Sequence, residues 1–385
     1  MPLRFGRALT VFAVVLAVLL SALAGVGPSA SLAAPAAGPQ NHDMGVSGAV
    51  AARALNALEA RNLKSAPRQT TNVHFILNWL PNVEFAGLWV AEQFGWFRQA
   101  GIHMTFTPWA PAVHPETDVV SHPGVTFGLQ SGAAIVIARA QGVPIKALYT
   151  DTQRSVFGLT VLANSGIKSL RDLRGKRIGY QSHEFYVPAT MLSCVGLRQT
   201  DWRPVQVSFD IVQLTAKHVD AYLTFIMNEP VALQLNGVKV FTFPAYKYCF
   251  HFYDDVLFTT DSLINKNPAI VTKVVRLVAQ GFRWAHLHPD YAARLTVRTH
   301  FPASAAGTDI FNRPMKANTN LIQQIDELRA FGPFSRDSNG AFTGLMNRAT
   351  WQDSTNILYR YGQIRSKPNV ISLYTNRFNP YNPNR

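Results

Sequence analysis

The 385-residue sequence holds only two cysteines, Cys194 and Cys249. That scarcity excludes a scaffold held together by many disulfides. The absence of Cys-x-x-Cys and His-Glu-x-x-His removes the common zinc motifs as well. In an exported chain the two cysteines could pair. Their neighbours Met191, Leu192, Val195 and Phe250 instead favour two separate buried thiols. Charge is sparse at 15% of residues, and the Lys and Arg behind the net +14 are scattered rather than run together. Without a basic block or a recognisable module, nucleic acid is not an expected partner. No Gly-x-Ser-x-Gly elbow, Gly-x-Gly-x-x-Gly fingerprint or P-loop occurs. His286 and His288 lie two apart on a helical pattern and so face different ways. His183-Glu184, and His251 with Asp254 and Asp255, are loose groupings. No catalytic residue, metal or cofactor is therefore expected, and an enzyme is disfavoured.

Long hydrophobic runs are equally scarce. The one present, Ala8 to Ala24, follows Arg4 and Arg7 and precedes Gly25, Gly27, Pro28 and small residues through Ala34. This order reads as a signal peptide over 1–34, cleaved near Ser31–Ala34. A retained anchor is the alternative, because the run is long for a signal. With no second such span, the mature chain is expected to be soluble outside the cytoplasmic membrane, periplasmic or at the cell surface. Neither cysteine lies near the signal, so no lipid attachment is evident. Residues 35–71, rich in Ala, Gly, Pro, Asn and Gln, read as a linker or loose N-terminal segment, interrupted by a helical pattern from Val50 to Leu63.

What remains is apolar enough (48% overall) and long enough for a sizeable core in two lobes. From Val73 short apolar runs alternate with helical stretches, the α/β signature. Strands are expected at Val73–Leu77, His103–Pro108, Gly124–Gly128, Pro144–Tyr149, Arg177–Tyr180, Val205–Leu214, Ala221–Phe225 and Val238–Phe243. Helices are expected at Ala86 onward, Ala133–Ala140, Val187–Val195, Val271–Leu287 (stopped by Pro289), Leu321–Phe331 and Trp351–Tyr361. Ser169 should cap a one-turn helix that ends at Gly175.

The richest stretch is Leu77–Ala91, where an Asn-Trp-x-Pro-Asn turn joins a strand to a helix. Pro81 restricts the backbone behind Trp79, and a strand end followed by a helix start is where α/β proteins place ligands. Trp79, Asn82, Phe85, Trp109, Tyr180, Tyr186, Tyr222, Phe225, Asn228 and Glu229 all fall near expected strand ends. Aromatic faces with an amide or carboxylate at the edge suit a flat, hydrogen-bonding heterocycle.

Four segments carry a family resemblance: Leu77–Ala91 with Gly95-Trp96-Phe97, Val125–Ile145, Ser165–Gly179, and Val219-Asp220-Ala221-Tyr222 through Asn228-Glu229-Pro230. They resemble the substrate-binding proteins of ABC importers, in the branch shared with thiamine-pyrimidine synthases and with binders of thiamine precursors and riboflavin. The same superfamily includes alkanesulfonate binders. The resemblance implies a type II binding-protein fold, α/β, with two hinge strands. Lobe 1 would hold 72–160 and 249–385, and lobe 2 would hold 161–248. It further implies a small-molecule heterocycle as ligand and the permease subunits in the membrane as partners. A His common in the synthases three residues after the motif Asn is Phe85 here, and their cysteine-rich motif is missing. Trp79, Phe85 and Tyr186 would wall the ring, with Tyr222 beside it. Asn82 and Glu229 would read the ring's edge, and Ser182 would hold a polar tail.

Overall fold

The computed structural model describes residues 70–384 except 182–183, 209 and 301–318. The expected signal peptide, most of the linker and the Val50–Leu63 pattern lie outside the described residues. So does Ser182.

Among the described residues, ten strands form two five-stranded sheets. The first holds β1 (Thr71–Ile76), β2 (Ile102–Thr107), β3 (Val125–Gln130), β4 (Ile145–Thr152) and β10 (Asp254–Thr260), in the order β2-β1-β3-β10-β4. The second holds β5 (Phe157–Leu162), β6 (Arg177–Gln181), β7 (Arg203–Val207), β8 (Ala221–Phe225) and β9 (Val240–Pro244), in the order β7-β6-β8-β5-β9. In each sheet four strands run the same way and the one that follows a crossing, β10 or β5, runs against them. Thus β1 is parallel to β2 and β3, while β10 is antiparallel to β3 and β4. Likewise β6 is parallel to β7 and β8, while β5 is antiparallel to β8 and β9.

The chain crosses between sheets through residues 153–156 and returns through 245–253. The expected boundary at 160 and 161 therefore falls inside β5, a strand of the second sheet. Asp254 ties the two crossings together. Its carboxylate accepts from the Val156 N–H at 3.1 Å, and its carbonyl accepts from the hydroxyls of Thr150 (2.9 Å) and Thr152 (2.7 Å).

Most strands stand where alternation and β-branching put them. Two, β5 and β10, were not anticipated. The β10 strand opens on Asp254-Asp255, and charged residues rarely start a fully buried strand. The run Val205–Leu214 is not one strand. It ends at Val207, and Val212–Thr215 is a helical turn. Pro289 ends the Pro268–Leu287 helix and also starts a second, Pro289–Thr299, because proline's missing N–H costs nothing in a first helical turn. The one-turn helix forms at Leu170–Leu173, with the Asp172 carboxylate accepting from the N–H groups of Lys168 and Ser169.

The Ala86–Gln93 helix is fully buried over Ala86–Ala91, against the long Pro268–Leu287 helix. Glycine at both Gly87 and Gly281 allows the approach, since a Cβ on Gly281 would lie 2.0 Å from the Gly87 carbonyl oxygen.

The cysteines correct the sequence reading. Cys194, at the end of the Tyr186–Cys194 helix, and Cys249, in the return crossing, are joined as a disulfide. Both cysteines are exposed rather than buried, so the burial expected from their apolar neighbours is corrected as well: Met191, Leu192 and Phe250 turn inward while the sulfurs bridge at the surface.

Candidate functional site

A cavity of about 410 Å³ opens where the parallel strands of both sheets end. Asn78, Trp79, Asn82 and Glu84 reach it from the segment after β1. Trp109 and His114 follow β2, and Gln130 and Ser131 close β3. From the second sheet come Glu184 after β6, Phe157 at the start of β5, and Phe225 through Glu229 at and beyond the end of β8, Ile226 excepted. Glu327 and Phe331 enter from the Thr319–Ser335 helix.

The turn after β1 is built by its own polar groups. Asn82 caps the one-turn helix Val83–Phe85, its Oδ1 accepting from the Glu84 N–H at 2.9 Å. Its carbonyl accepts the indole N–H of Trp89 at 2.9 Å, which pins the turn to the core. Gln324 Oε1 accepts the Val83 N–H at 3.0 Å, tying the turn to the helix that supplies Glu327. Trp79 packs against Trp109 with ring centroids 5.2 Å apart, and its carbonyl accepts the Trp109 N–H. On the far wall Phe157 meets Phe225 edge-on at 4.7 Å.

Of the expected ligand residues, Trp79, Asn82 and Glu229 line the cavity. Phe85 does not. It is fully buried in the first sheet's core, edge-on to Trp89, because the residue that turns toward the cavity is its neighbour Glu84. Tyr186 also packs inward, against Phe250 and Phe252. Tyr222 lies beneath the second sheet, its hydroxyl donating to the Ser208 carbonyl at 2.8 Å. Trp109, Phe225 and Asn228, singled out by their strand-end positions, do reach the cavity. Glu84, Glu184 and Glu327 also line the cavity and were not among the expected ligand residues. Glu84 sits inside the Leu77–Ala91 stretch, so its position was in view, but no role was assigned to it. Nothing in the sequence marks Glu327.

Electrostatically the cavity is unusual for a basic chain. Glu84, Glu184, Glu229 and Glu327 line it, and none of the described lining residues is Lys or Arg. Burial pushes the Glu184 carboxyl up to about 8, helped by the negative charges of Asp254 and Glu229. Burial likewise takes Glu229 to about 7, against the N–H of Phe225, which its Oε2 accepts at 2.9 Å. Glu327 stands well above the ordinary range through burial and the charges of Glu229 and Glu84. Behind the wall, Glu84 faces Asp255 while also accepting from Asn78 Nδ2 at 3.0 Å. Burial first and mutual repulsion second raise Asp255, which is the member held protonated.

These raised carboxyls fix how ligand-free stability responds to pH. Unfolded, Glu184 and Glu229 would ionise near 4.5 and Asp254 near 3.8, but folded they hold protons up to about 8, 7 and 6. Between those values the folded state binds more protons than the unfolded one, so each rise in pH favours unfolding. Their stabilisation is fully present below the unfolded values and is lost as pH rises through 6 to 8. Thermal melts of ligand-free protein should give a higher midpoint at about pH 5 than at about pH 8. A midpoint that climbs across that interval would contradict the assignment.

A family profile described as "NMT1/THI5 like" matches residues 82–292, more than half of the sequence and most of both sheets. The chain belongs to the NMT1/THI5-like family. The match begins at Asn82, in the cavity turn, and runs through Glu229. Among NMT1/THI5-like relatives, the riboflavin-binding protein RibY of Chloroflexus aurantiacus is 26% identical over 86% of this chain and 91% of its own length. The formylaminopyrimidine-binding protein of Halalkalibacterium halodurans is 21% identical over 76% and 86%. In three dimensions the chain matches the periplasmic sulfonate-binding protein SsuA from Methylobacillus flagellatus, with a TM-score of 0.60 and 16% identity, covering 80% of this chain and 93% of that one. That likeness fixes the architecture as the two-lobed α/β binding-protein fold expected from the sequence.

Proposed function

We propose that this chain is the extracytoplasmic solute-binding component of an ABC importer, and that its ligand is an aromatic nitrogen heterocycle of the riboflavin or thiamine-pyrimidine class. The cavity carries this reading. Its volume falls in the range of small-molecule sites, and Trp79, Trp109, Phe157, Phe225 and Phe331 supply faces for stacking, with amides and carboxyls at their edges. The riboflavin and formylaminopyrimidine binders among the relatives support the same class. The two crossings at 153–156 and 245–253 act as the hinge, and closure of the lobes over the ligand presents the closed form to the permease. The Cys194–Cys249 disulfide suits an oxidising compartment outside the cytoplasm.

Two other readings are weaker. A sulfonate would meet four glutamates and no cation among the described lining residues. A synthase using pyridoxal phosphate would need a lysine in the cavity for its Schiff base, and none of the described lining residues is a lysine.

Calorimetric titration with riboflavin, hydroxymethyl- and formylamino-pyrimidines and short alkanesulfonates tests the proposal. At least one heterocycle should bind at about micromolar affinity or tighter, roughly −8 kcal/mol. Micromolar binding of a sulfonate, with all heterocycles weaker, would overturn it.

A further inference from the structure

The sign of the cavity's charge opposes that of the whole chain. A sequence of net charge +14 surrounds its ligand with Glu84, Glu184, Glu229 and Glu327 and with no Lys or Arg among the described lining residues. The remaining polar wall is neutral apart from His114: the amides Asn78, Asn82, Gln130 and Asn228 and the hydroxyl of Ser131. Several of these groups are already committed. Asn82 caps its own turn, Ser131 caps the Gly132–Ala140 helix, and Gln130 bonds Glu116 and the Ser131 N–H. Glu84, Glu229 and Glu327 also accept, from Asn78, the Phe225 N–H and Gln324. A carboxylate has more acceptor positions than one donor fills, so with Glu184 they remain the principal groups able to meet a ligand's charge. They stand on both sheets and on the Thr319–Ser335 helix, so they encircle the aromatic walls. No three acidic, His or Cys side chains among the described residues converge as a metal ion would require. An organic cation with a flat ring fits this arrangement: its face stacks on the tryptophans while its N–H edge or positive nitrogen meets carboxylates.

Resting on the proposed function above, we infer that the cavity selects a heterocycle carrying positive charge over a neutral ring of similar size, and that the cation's arrival expels protons from the glutamates around it. Glu184 and Glu229 carry the exchange. Around them stand Glu84 and His114 from the first sheet, Glu327 from the Thr319–Ser335 helix, Asp254 and Asp255 from β10, and the phenols of Tyr186 and Tyr222. All but His114 are acidic, so nothing among them except the ligand supplies a strong positive partner. A carboxyl held neutral by burial ionises once a cation lies beside it, and its proton leaves to the buffer. The linkage has a definite sign. If binding releases a proton, affinity rises with pH by up to about tenfold per unit until the free carboxyl has itself ionised. The rise should therefore flatten above the free value of about 8 for Glu184.

Titration calorimetry with three probes tests this: thiamine, whose thiazolium charge is fixed, hydroxymethyl-aminopyrimidine, which is a base, and riboflavin, which is neutral. Thiamine or the aminopyrimidine should bind at least about tenfold tighter than riboflavin at neutral pH. Thiamine affinity should rise between about pH 6 and 8. Repeating the thiamine titration in buffers of different ionisation enthalpy should show net proton release, whereas the aminopyrimidine takes the carboxyl's proton itself and should release less. In Glu184→Gln and Glu229→Gln, thiamine should bind about tenfold more weakly and release fewer protons. Circular dichroism melts confirm that each variant is folded. Tighter binding of riboflavin than of both cations, or thiamine affinity that falls with rising pH, would overturn the inference and leave the heterocycle-binding function standing. A sulfonate binding where none of the three probes does would overturn both.

Discussion

Truncating Trp79 to Ala is expected to weaken ligand binding by about 2–4 kcal/mol, roughly 30- to 1000-fold, the loss typical of an aromatic anchor at the centre of a binding surface. Trp79 is partly exposed at the cavity wall, and its ring is braced by Trp109 at 5.2 Å. Its carbonyl is held by the Trp109 N–H, so the backbone around it is fixed by more than its own side chain. Removing the indole should therefore strip a stacking face without collapsing the turn. Trp79→Phe keeps a smaller face and should lose less than about tenfold. Calorimetry on both variants, with thermal melts as a check on folding, measures the effect. If Trp79→Ala bound the wild-type ligand within a factor of about two, the aromatic wall would not be where binding energy arises.

Removing the disulfide has the largest expected effect on stability. Cys194 and Cys249 are 55 residues apart in sequence. Releasing a loop of that size returns about 4 kcal/mol of conformational entropy to the unfolded chain. The bond also joins the end of the Tyr186–Cys194 helix to the stretch that leads back into β10. It therefore restrains one of the two crossings between the sheets. The double variant Cys194→Ala with Cys249→Ala should unfold at a clearly lower urea concentration than the oxidised protein, and reductant should move the wild type the same way. Identical midpoints would mean the bond does not form or does not constrain the unfolded state.

The fold was largely legible because its signals are local. β-Branched alternation marked β1, β2, β6 and β8, and the 3.6-residue apolar pattern marked the Pro268–Leu287 helix. The strands that carry the chain from sheet to sheet were harder to read. β5 has a glycine at its second position, and β10 begins on two aspartates, the first of which only tertiary contacts satisfy. Asp254 is paired by Val156, Thr150 and Thr152, all about a hundred residues away in sequence.

The site was legible in position but not in direction. Trp79, Asn82 and Glu229 lie at strand ends, and a strand end in a parallel sheet opens toward the ligand whatever the packing. Phe85 is core and Glu84 reaches the cavity because neighbouring residues in a tight helical turn point about 120° apart. One step along the chain separates core from cavity. Tyr186 and Tyr222 went inward for the same reason, their faces set by helix and strand phase.

By itself the sequence determined the α/β alternation and the turn around which the cavity forms, since both rest on patterns a few residues long, while the two-lobed binding-protein arrangement came through the family resemblance. Tertiary structure alone decided that the cysteines pair and that Phe85 is core. It alone brought Glu84, Glu184, Glu229 and Glu327 around one cavity. Those outcomes depend on groups far apart in the chain meeting in a buried space, where low polarity changes what a carboxyl does, and no local pattern carries that information.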